Sequence, residues 1–364
     1  MRMVPATGRT GSANLTLEEI GRRAGVSRST VSRVLNDHPD VRAEVRERVE
    51  AVIADTGYQP NQAARALVSN RSGLIGLIML TEVDDLFGDP YYSALVRGIH
   101  EGCRHAGLIF TIFPVFGPDG RADALTPQIA QGLVDGVIVT AGPRSDELIA
   151  RLRDRGTRMV VVGHPVDDTG LVRVDVENRV GSAAAVAHLI EHGHRRIGFV
   201  GSTPEYLFGV ERLDGYRDAF AAAGLPVDER LVRLDHPWPD GGLRATASLL
   251  AERPDAIYVS TDPMAEGAYV AIAEAGLRIP DDVAVIGFDG LPGGPRLEPA
   301  LTTMVQPVTE VGRRAVELLV DESDAPQVVM LPTELRLGAS CGSGHGRGGC
   351  STTAASVDPT RASG

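Results

Sequence analysis

The chain has 364 residues, of which 43% are hydrophobic, so it is long enough for two or three domains with apolar cores. The formal net charge is −12, but residues 1–72 hold eleven Arg against eight Asp and Glu, so a mildly basic segment precedes a strongly acidic remainder. We expect no membrane span, because no run of eighteen apolar residues occurs. We expect no export, because the first residues lack an apolar signal region, and the three scattered cysteines fit a reducing cytoplasm.

Residues 1–14 are rich in Gly, Ser, Thr and Arg, and we predict that they are disordered. The next stretch, LTLEEIGRRAGVSRSTVSRVLN at 15–36, predicts two short helices joined by a turn at Gly25. Thr16 precedes Glu19 by three residues, which is the spacing of a capping box, and Ser27 is expected to cap the second helix. The inward apolar face comprises Leu17, Ile20, Ala24, Val31, Val34 and Leu35. The pattern indicates a helix-turn-helix, although an ordinary surface helical hairpin would share much of it.

The outward face of the second helix carries side chains that suit DNA. Arg28, Ser29 and Arg33 are predicted to read bases, because guanidinium groups match the N7 and O6 atoms of guanine and hydroxyls match phosphate oxygens. A third helix is predicted over 41–56, and Gly57 ends it.

Two segments, VSRSTVSRVLN at 26–36 and DTGYQPNQAARAL at 55–67, resemble the head of the LacI/GalR family of bacterial repressors. The resemblance implies an all-α helix-turn-helix domain at 15–60 and a hinge helix with its linker at 61–72. It also implies an α/β periplasmic-binding-protein-like core of two doubly wound parallel-sheet subdomains. The DNA-binding residues inferred from pattern and resemblance together are Thr16, Ser27, Arg28, Ser29, Thr30, Ser32, Arg33, Asn36, Tyr58, Asn61, Ala64 and Leu67.

The hinge is too short to be a stable helix alone in water, so we expect it to order on DNA. Leu67 matches the position at which family members insert a leucine into the minor groove, with simple helix packing as the alternative.

From residue 73 onward, apolar strands alternate with helices, which predicts parallel sheets covered on both faces. The family resemblance implies three crossings between the subdomains, placed near Val176, Val305 and Leu331. The subdomains are therefore expected at 73–176 plus 305–331 and at 177–304 plus 332–338. Residues 339–364 are expected to be a disordered tail, and the lack of heptads predicts a homodimer rather than a tetramer.

Ligands of open parallel sheets bind beyond the carboxyl ends of the strands, so candidate effector residues were sought there. The resemblance implies that Arg212 and Asp289 hold the effector from opposite sides, and Tyr92 and Trp238 could provide flat apolar walls. Asp262 fits a cap of the following helix better than a ligand contact, and His164 and Trp238 fit simple packing as well as a ligand contact. The candidate set is Tyr91, Tyr92, His164, Glu177, Arg212, Trp238, Thr261, Asp262 and Asp289.

These observations predict a cytoplasmic transcriptional regulator, most plausibly a repressor, that binds palindromic double-stranded operator DNA as a dimer and is controlled by a sugar. A purine or another metabolite is the alternative effector. An exported solute-binding protein is disfavoured by the helix-turn-helix, and an enzyme by the lack of a dinucleotide, phosphate or nucleophile-elbow motif. Neither a cofactor nor a metal site is expected.

Overall fold

The computed structural model describes residues 15–35, 38–58, 72–79, 88–114, 129–143, 145–166, 170–321 and 325–342. These residues belong to two compact units that divide between Ser72 and Gly73. The predictions for Asn36, for the hinge residues Asn61, Ala64 and Leu67, and for residues 1–14 and 343–364 lie outside the described residues.

The first unit contains three helices, α1 (Leu17–Ala24), α2 (Arg28–Leu35) and α3 (Ala43–Thr56). Thr16 caps α1, because its hydroxyl accepts the Glu19 N–H at 3.3 Å. The Glu19 carboxylate pairs with Arg22 and Arg23 instead of returning to the Thr16 backbone, so only half of the predicted capping box forms. Buried apolar side chains hold the three helices together: Ile20, Ala24, Val31, Val34 and Val49.

The second unit contains two six-stranded sheets. The elements of the first sheet and its helices are β1 (Leu74–Met79), α4 (Pro90–Ala106), β2 (Ile109–Pro114), β3 (Gly136–Thr140), α5 (Ser145–Asp154), β4 (Met159–Val162) and β5 (Arg173–Val176). The second set follows as α6 (Asn178–Glu191), β6 (Ile197–Ser202), α7 (Leu207–Ala222), β7 (Val232–Asp235), α8 (Pro239–Leu249), β8 (Ala256–Val259), α9 (Asp262–Glu274), β9 (Ala284–Asp289) and β10 (Thr302–Val305). The last elements are α10 (Val308–Val320), β11 (Val328–Leu331) and β12 (Glu334–Arg336).

The strand order is β11-β5-β4-β3-β1-β2 in the first sheet and β12-β10-β9-β8-β6-β7 in the second. All pairings are parallel except that of β12 with β10. The strands are apolar on both faces because helices cover both sides of each sheet, as β1 illustrates with Leu77 in one core and Ile78 in the other. Within the described residues, no helix is both long enough and apolar enough to cross a membrane.

The chain crosses between the two sheets three times, after Val176, after Val305 and after Leu331. The first sheet and its helices therefore form one subdomain together with α10 and β11, and the second sheet forms the other. The packed chain extends beyond the expected start of the tail at 339. The Ser340 hydroxyl accepts the Thr302 N–H at 2.8 Å and donates to the Val285 carbonyl at 2.7 Å. Ser340, which looks like a linker residue in the sequence, therefore bonds to two strands of the second sheet.

Helix α10 returns from the second sheet and packs closely on α4 through glycines. A methyl group on Gly98 would lie 2.0 Å from the Thr309 carbonyl oxygen, and one on Gly312 would lie 2.5 Å from the Leu95 carbonyl oxygen. This close approach fixes where the second crossing enters the first subdomain.

Replacing Gly98 by Ala should lower the free energy of unfolding by about 1–3 kcal/mol, because the new methyl group forces two backbones apart. Urea denaturation of the full chain measures this change. Gly142→Ala is the matched control, since a methyl group there meets no atom within 4 Å. Equal stability of the two variants would contradict the proposed packing constraint.

Candidate functional site

The outward face of α2 carries most of the described side chains that are predicted to contact DNA. Ser27, Arg28, Ser29 and Arg33 are exposed, whereas Thr30 and Ser32 are half-buried. Ser27 also caps α2, because its hydroxyl accepts the Thr30 N–H at 3.1 Å. The surface presents guanidinium and hydroxyl groups together, which is the chemistry that sequence analysis predicted for DNA contacts.

Two residues predicted to contact DNA have additional partners in this unit. The Arg28 guanidinium lies 3.0 Å from the Glu18 carboxylate in an exposed ion pair, so a DNA contact by Arg28 would compete with Glu18. Tyr58 is half-buried and packs against the apolar core of the three helices, which gives it a structural contact within the head.

In the second unit, the Arg212 side chain of α7 lies at the centre of a buried polar cluster. Its Nε donates to Asn178 Oδ1 at 2.9 Å, and its Nη1 donates to Asp289 Oδ1 at 3.1 Å and to the Ser260 carbonyl. The guanidinium also stacks over the Phe288 ring, with its central carbon 3.8 Å from the ring centroid. Arg212 is only 3% exposed, so these contacts replace its hydration.

Asp289 ends β9 in a backbone conformation with φ of 123°, which is unusual for a residue with a side chain. Gln306, just after β10, donates to Asp289 Oδ1 at 2.6 Å, and the Asp262 N–H donates to Asp289 Oδ2 at 3.2 Å. Asp262 in return accepts the Gly290 N–H at 2.8 Å and the Thr303 hydroxyl at 2.7 Å. Asp262 Oδ2 therefore holds the turn that carries Asp289, and Asp262 Oδ1 ties α9 to the neighbouring strand β10.

Thr261, rather than Asp262, caps α9, because its hydroxyl accepts the Met264 N–H at 3.2 Å. The alternative of Asp262 as the helix cap is thus wrong by one residue. A β-region residue must precede the first helical residue, and Thr261 occupies that position with φ of −145°.

Glu211 connects the two subdomains. Its Oε1 lies 2.7 Å from His164 Nδ1, which follows β4 of the first sheet, and its Oε2 accepts from Asn178 Nδ2 at 3.0 Å. His164 and Glu211 are both about one quarter exposed. This contact places His164 at the boundary between the subdomains rather than in an apolar core.

The effector contacts of Arg212 and Asp289 stay a prediction, and the structure shows how the two residues are placed relative to each other. The two side chains touch each other, and both belong to the subdomain of the second sheet. The direct contact between Arg212 and Asp289 was not predicted from the sequence.

The remaining candidates lie at different distances from this cluster. Tyr91 and Tyr92 begin α4 and form an edge-to-face pair with ring centroids 5.6 Å apart. Glu177 lies at the first crossing, where its N–H donates to the Leu331 carbonyl at 2.9 Å. Trp238 precedes α8, and among the described residues no hydrogen bond links its side chain to the Arg212 cluster.

Burial and neighbouring carboxylates shift the pKa values in this region. Burial, with the negative charge of Glu211, raises the pKa of Asp175 to about 6. Burial and the charge of Asp289 raise the pKa of Asp262 to about 7. Burial raises the pKa of Tyr91, and the charges of Asp175 and Asp289 raise it further, which shows that Tyr91 lies near both carboxylates.

Four residues of the cluster were missed by the sequence analysis. Gln306 and Asn178 each follow a strand, so the rule of searching strand ends could have found both. Glu211 precedes Arg212, and nothing in its local pattern distinguishes it from a surface helix carboxylate. Asp175 lies within β5, where a charged residue in an apolar run was the available signal. In the part of the chain that the structure describes, no group of three His, Cys, Asp or Glu could hold a metal ion.

Comparison with known families agrees with this architecture. Residues 16–61 match the family described as bacterial regulatory proteins, lacI family, and residues 186–341 match the periplasmic binding protein-like domain. The HTH-type transcriptional regulator CelR of Thermobifida fusca is 36% identical over 329 residues, which cover 88% of this chain and 96% of that protein. Catabolite control protein A of Priestia megaterium is 31% identical, over 88% of this chain and 97% of its own length.

Solved structures give the same result. A complex of the transcriptional regulator CelR with cellobiose has a TM-score of 0.71 and 34% identity, covering 89% of this chain and 99% of that chain. A lac repressor dimer bound to operator and the anti-inducer ONPF has a TM-score of 0.74 and 27% identity, covering 90% of this chain and 98% of that chain. The predicted fold class is therefore confirmed. The chain belongs to the lacI family of bacterial regulatory proteins, and it is a DNA-binding transcriptional regulator with a small-molecule effector.

Proposed function

We propose that this regulator is a repressor that binds a palindromic operator as a homodimer and is controlled by a sugar bound between the two core subdomains. The polar cluster around Arg212 carries the effector part of the proposal, because it lies at the crossings and offers donors and acceptors beside aromatic rings. The CelR–cellobiose complex supports a sugar over the purine that the names of other relatives suggest.

The DNA part of the proposal rests on the exposed face of α2. An arginine with no ion-pair partner among the described residues, Arg33, lies on that face beside the hydroxyl-bearing Ser29. Such a helix places guanidinium groups in the major groove, where bidentate contacts distinguish guanine from other bases. The remaining positive charge of the head favours the phosphate backbone.

The effector part rests on how the cluster spans the cleft. Glu211 of one subdomain contacts His164 of the other, and Tyr91 lies near the Asp289 carboxylate across the same boundary. A sugar that replaces or supplements these contacts changes the relative free energy of open and closed arrangements, and this is how a ligand controls a two-domain protein.

We further propose that the protein has no catalytic activity and acts in the cytoplasm, where its DNA target is found. This proposal is supported by its relatives, which are transcriptional regulators. Measuring operator affinity with and without neutral sugars tests the proposal, once the operator has been selected from random double-stranded DNA. A response to adenine or guanine alone would favour a purine effector.

Arg33→Ala should weaken binding to the selected operator by about 1–3 kcal/mol, or roughly 5- to 150-fold, and relax the preference at one base pair in each half-site. Arg48→Ala is the control, because Arg48 is an exposed arginine on α3 of the same head. Fluorescence anisotropy with single-base operator variants measures both effects. If Arg33→Ala weakened every sequence equally, Arg33 would be a phosphate contact.

Arg212→Lys should lower effector affinity at least about tenfold, because an ammonium cannot contact Asn178, Ser260 and Asp289 at once. Operator affinity without effector should remain within about threefold of the original protein. Arg217→Lys is the matched control, since Arg217 lies on the same helix in an exposed ion pair with Glu229. Calorimetric titration with the responsive sugar gives the readout, and unchanged affinity in Arg212→Lys would remove this residue from the site.

A further inference from the structure

One buried carboxylate beside the effector cluster has an oxygen without a hydrogen-bond donor. Asp175 of β5 is only 7% exposed. Its Oδ1 accepts the Val176 N–H at 2.7 Å and lies 3.5 Å from Asn178 Nδ2. Its Oδ2 is buried and accepts no hydrogen bond from the described residues.

The charge nearest to this oxygen is too far away for a hydrogen bond. Arg173, two residues earlier on the same strand, has its Nη1 3.8 Å from Asp175 Oδ2. An ion pair at that distance offsets part of the charge but does not fill the acceptor position. A buried acceptor without a donor is unfavourable for the folded state, so its presence in this position calls for a function.

Asp175 faces the other side of the cleft. Asn178 of the second subdomain, whose Nδ2 lies 3.5 Å from Asp175 Oδ1, also donates to Glu211 and accepts from Arg212, so Asp175 lies beside the residues of α7. Asp175 thus lies where the last residues of β5 meet the effector cluster, one residue before the first crossing.

Arg212 has a donor that complements this acceptor. Its Nε and Nη1 contact Asn178, Ser260 and Asp289, and no contact within the described residues uses Nη2. A ligand between the subdomains would therefore meet a guanidinium donor from the second subdomain and a carboxylate acceptor from the first. Asp289 differs from Asp175, because Arg212 and Gln306 both donate to its Oδ1.

We propose that Asp175 is an effector-binding and specificity-determining residue, whose Oδ2 accepts a hydrogen bond from a hydroxyl group of an uncharged sugar. This inference rests on the proposed sugar effector and specifies its chemical class. A hydroxyl group donates to a carboxylate in a strong, charge-assisted hydrogen bond, whereas a phosphate or carboxylate oxygen offers no proton and adds like charge.

The charge of the whole cluster points to the same class. The carboxyl groups of Asp289 and Glu211 have partners in Arg212 and His164, whereas Asp175 Oδ2 accepts no hydrogen bond from the described residues. An anionic group of a ligand placed beside this oxygen would meet a like charge in a medium of low dielectric constant, where repulsion is strong. A sugar phosphate should therefore bind more weakly than its parent sugar.

Asp175→Asn in the full-length protein tests the stability side of this inference without any ligand. Removing the buried charge should raise the melting temperature at pH 7.5 by about 2–4 °C. Because the pKa of Asp175 is raised by folding to about 6, the cost of its charge is fully present above that pH and declines as the pH falls. The gain should therefore be smaller at pH 5.5. A lower melting temperature for Asp175→Asn at pH 7.5 would overturn the inference, since it would mean that the carboxylate is structurally required.

The binding side is tested by calorimetry with cellobiose, glucose, ribose and glucose 6-phosphate. Asp175→Asn should bind at least about tenfold more weakly than the original protein to whichever neutral sugar binds the original protein. The ratio of its affinity for glucose to its affinity for glucose 6-phosphate should be smaller than in the original protein. Asp218→Asn is the control, because Asp218 is an exposed carboxylate on α7 paired with Arg179. Asp175→Ala provides a second variant should the amide alter folding.

The outcomes separate the two proposals. If a neutral sugar binds both the original protein and Asp175→Asn equally well, the role of Asp175 is wrong and the sugar effector stands. If glucose 6-phosphate binds the original protein more tightly than glucose, the inferred ligand class is wrong. If no neutral sugar binds the original protein, the sugar effector itself is wrong, and the role inferred for Asp175 falls with it.

Discussion

The buried guanidinium of Arg212 is the constraint on which the effector site depends. A charge that is 3% exposed is stable only when its lost hydration is replaced, and here a carboxylate, an amide oxygen, a backbone carbonyl and an aromatic face all contribute. These partners come from α6, β9 and the segment after β8. Because Arg212 needs all of them at once, it fixes the relative positions of the ends of β5, β8 and β9. The loop residues around them are consequently ordered before any ligand arrives, which lowers the entropy cost of binding.

Asp289 and Asp262 show how the fold stabilises a strained turn. A φ of 123° is costly for an aspartate, on the order of 1–3 kcal/mol, and persists only where surrounding contacts determine it. The Asp262 carboxylate holds the Gly290 N–H, and the Asp262 N–H holds the Asp289 carboxylate, so each residue positions the other. Asp262 therefore positions Asp289 through the backbone and side chain alike.

Much of this structure could be predicted from the sequence, and the failures have physical reasons. The helices of the head could be predicted from their caps and apolar spacing. Strands such as β1 could be predicted from continuous apolar runs, which reflect burial on both faces of the sheet. The short strands β11 and β12 were not predicted, because their alternate residues are exposed and their pairing partners lie far away in the sequence. In the site, Arg212 and Asp289 were predicted from the family resemblance and from their places beyond strand ends. Their mutual contact, and the unpaired oxygen of Asp175, depend on tertiary distances that no local pattern encodes.

The three crossings have a consequence for how the core folds. The first sheet receives its edge strand β11 only after residues 328–331 have been synthesised, and the second sheet receives β12 and its anchor Ser340 later still. Neither subdomain is contiguous in the chain. During synthesis, neither sheet can therefore be completed before the last strands β11 and β12 have been made. We therefore regard the core as one cooperative folding unit whose contacts are dominated by long sequence separations. The same interlocking means that one half could not be exchanged with a relative by a single genetic crossover without dividing a sheet.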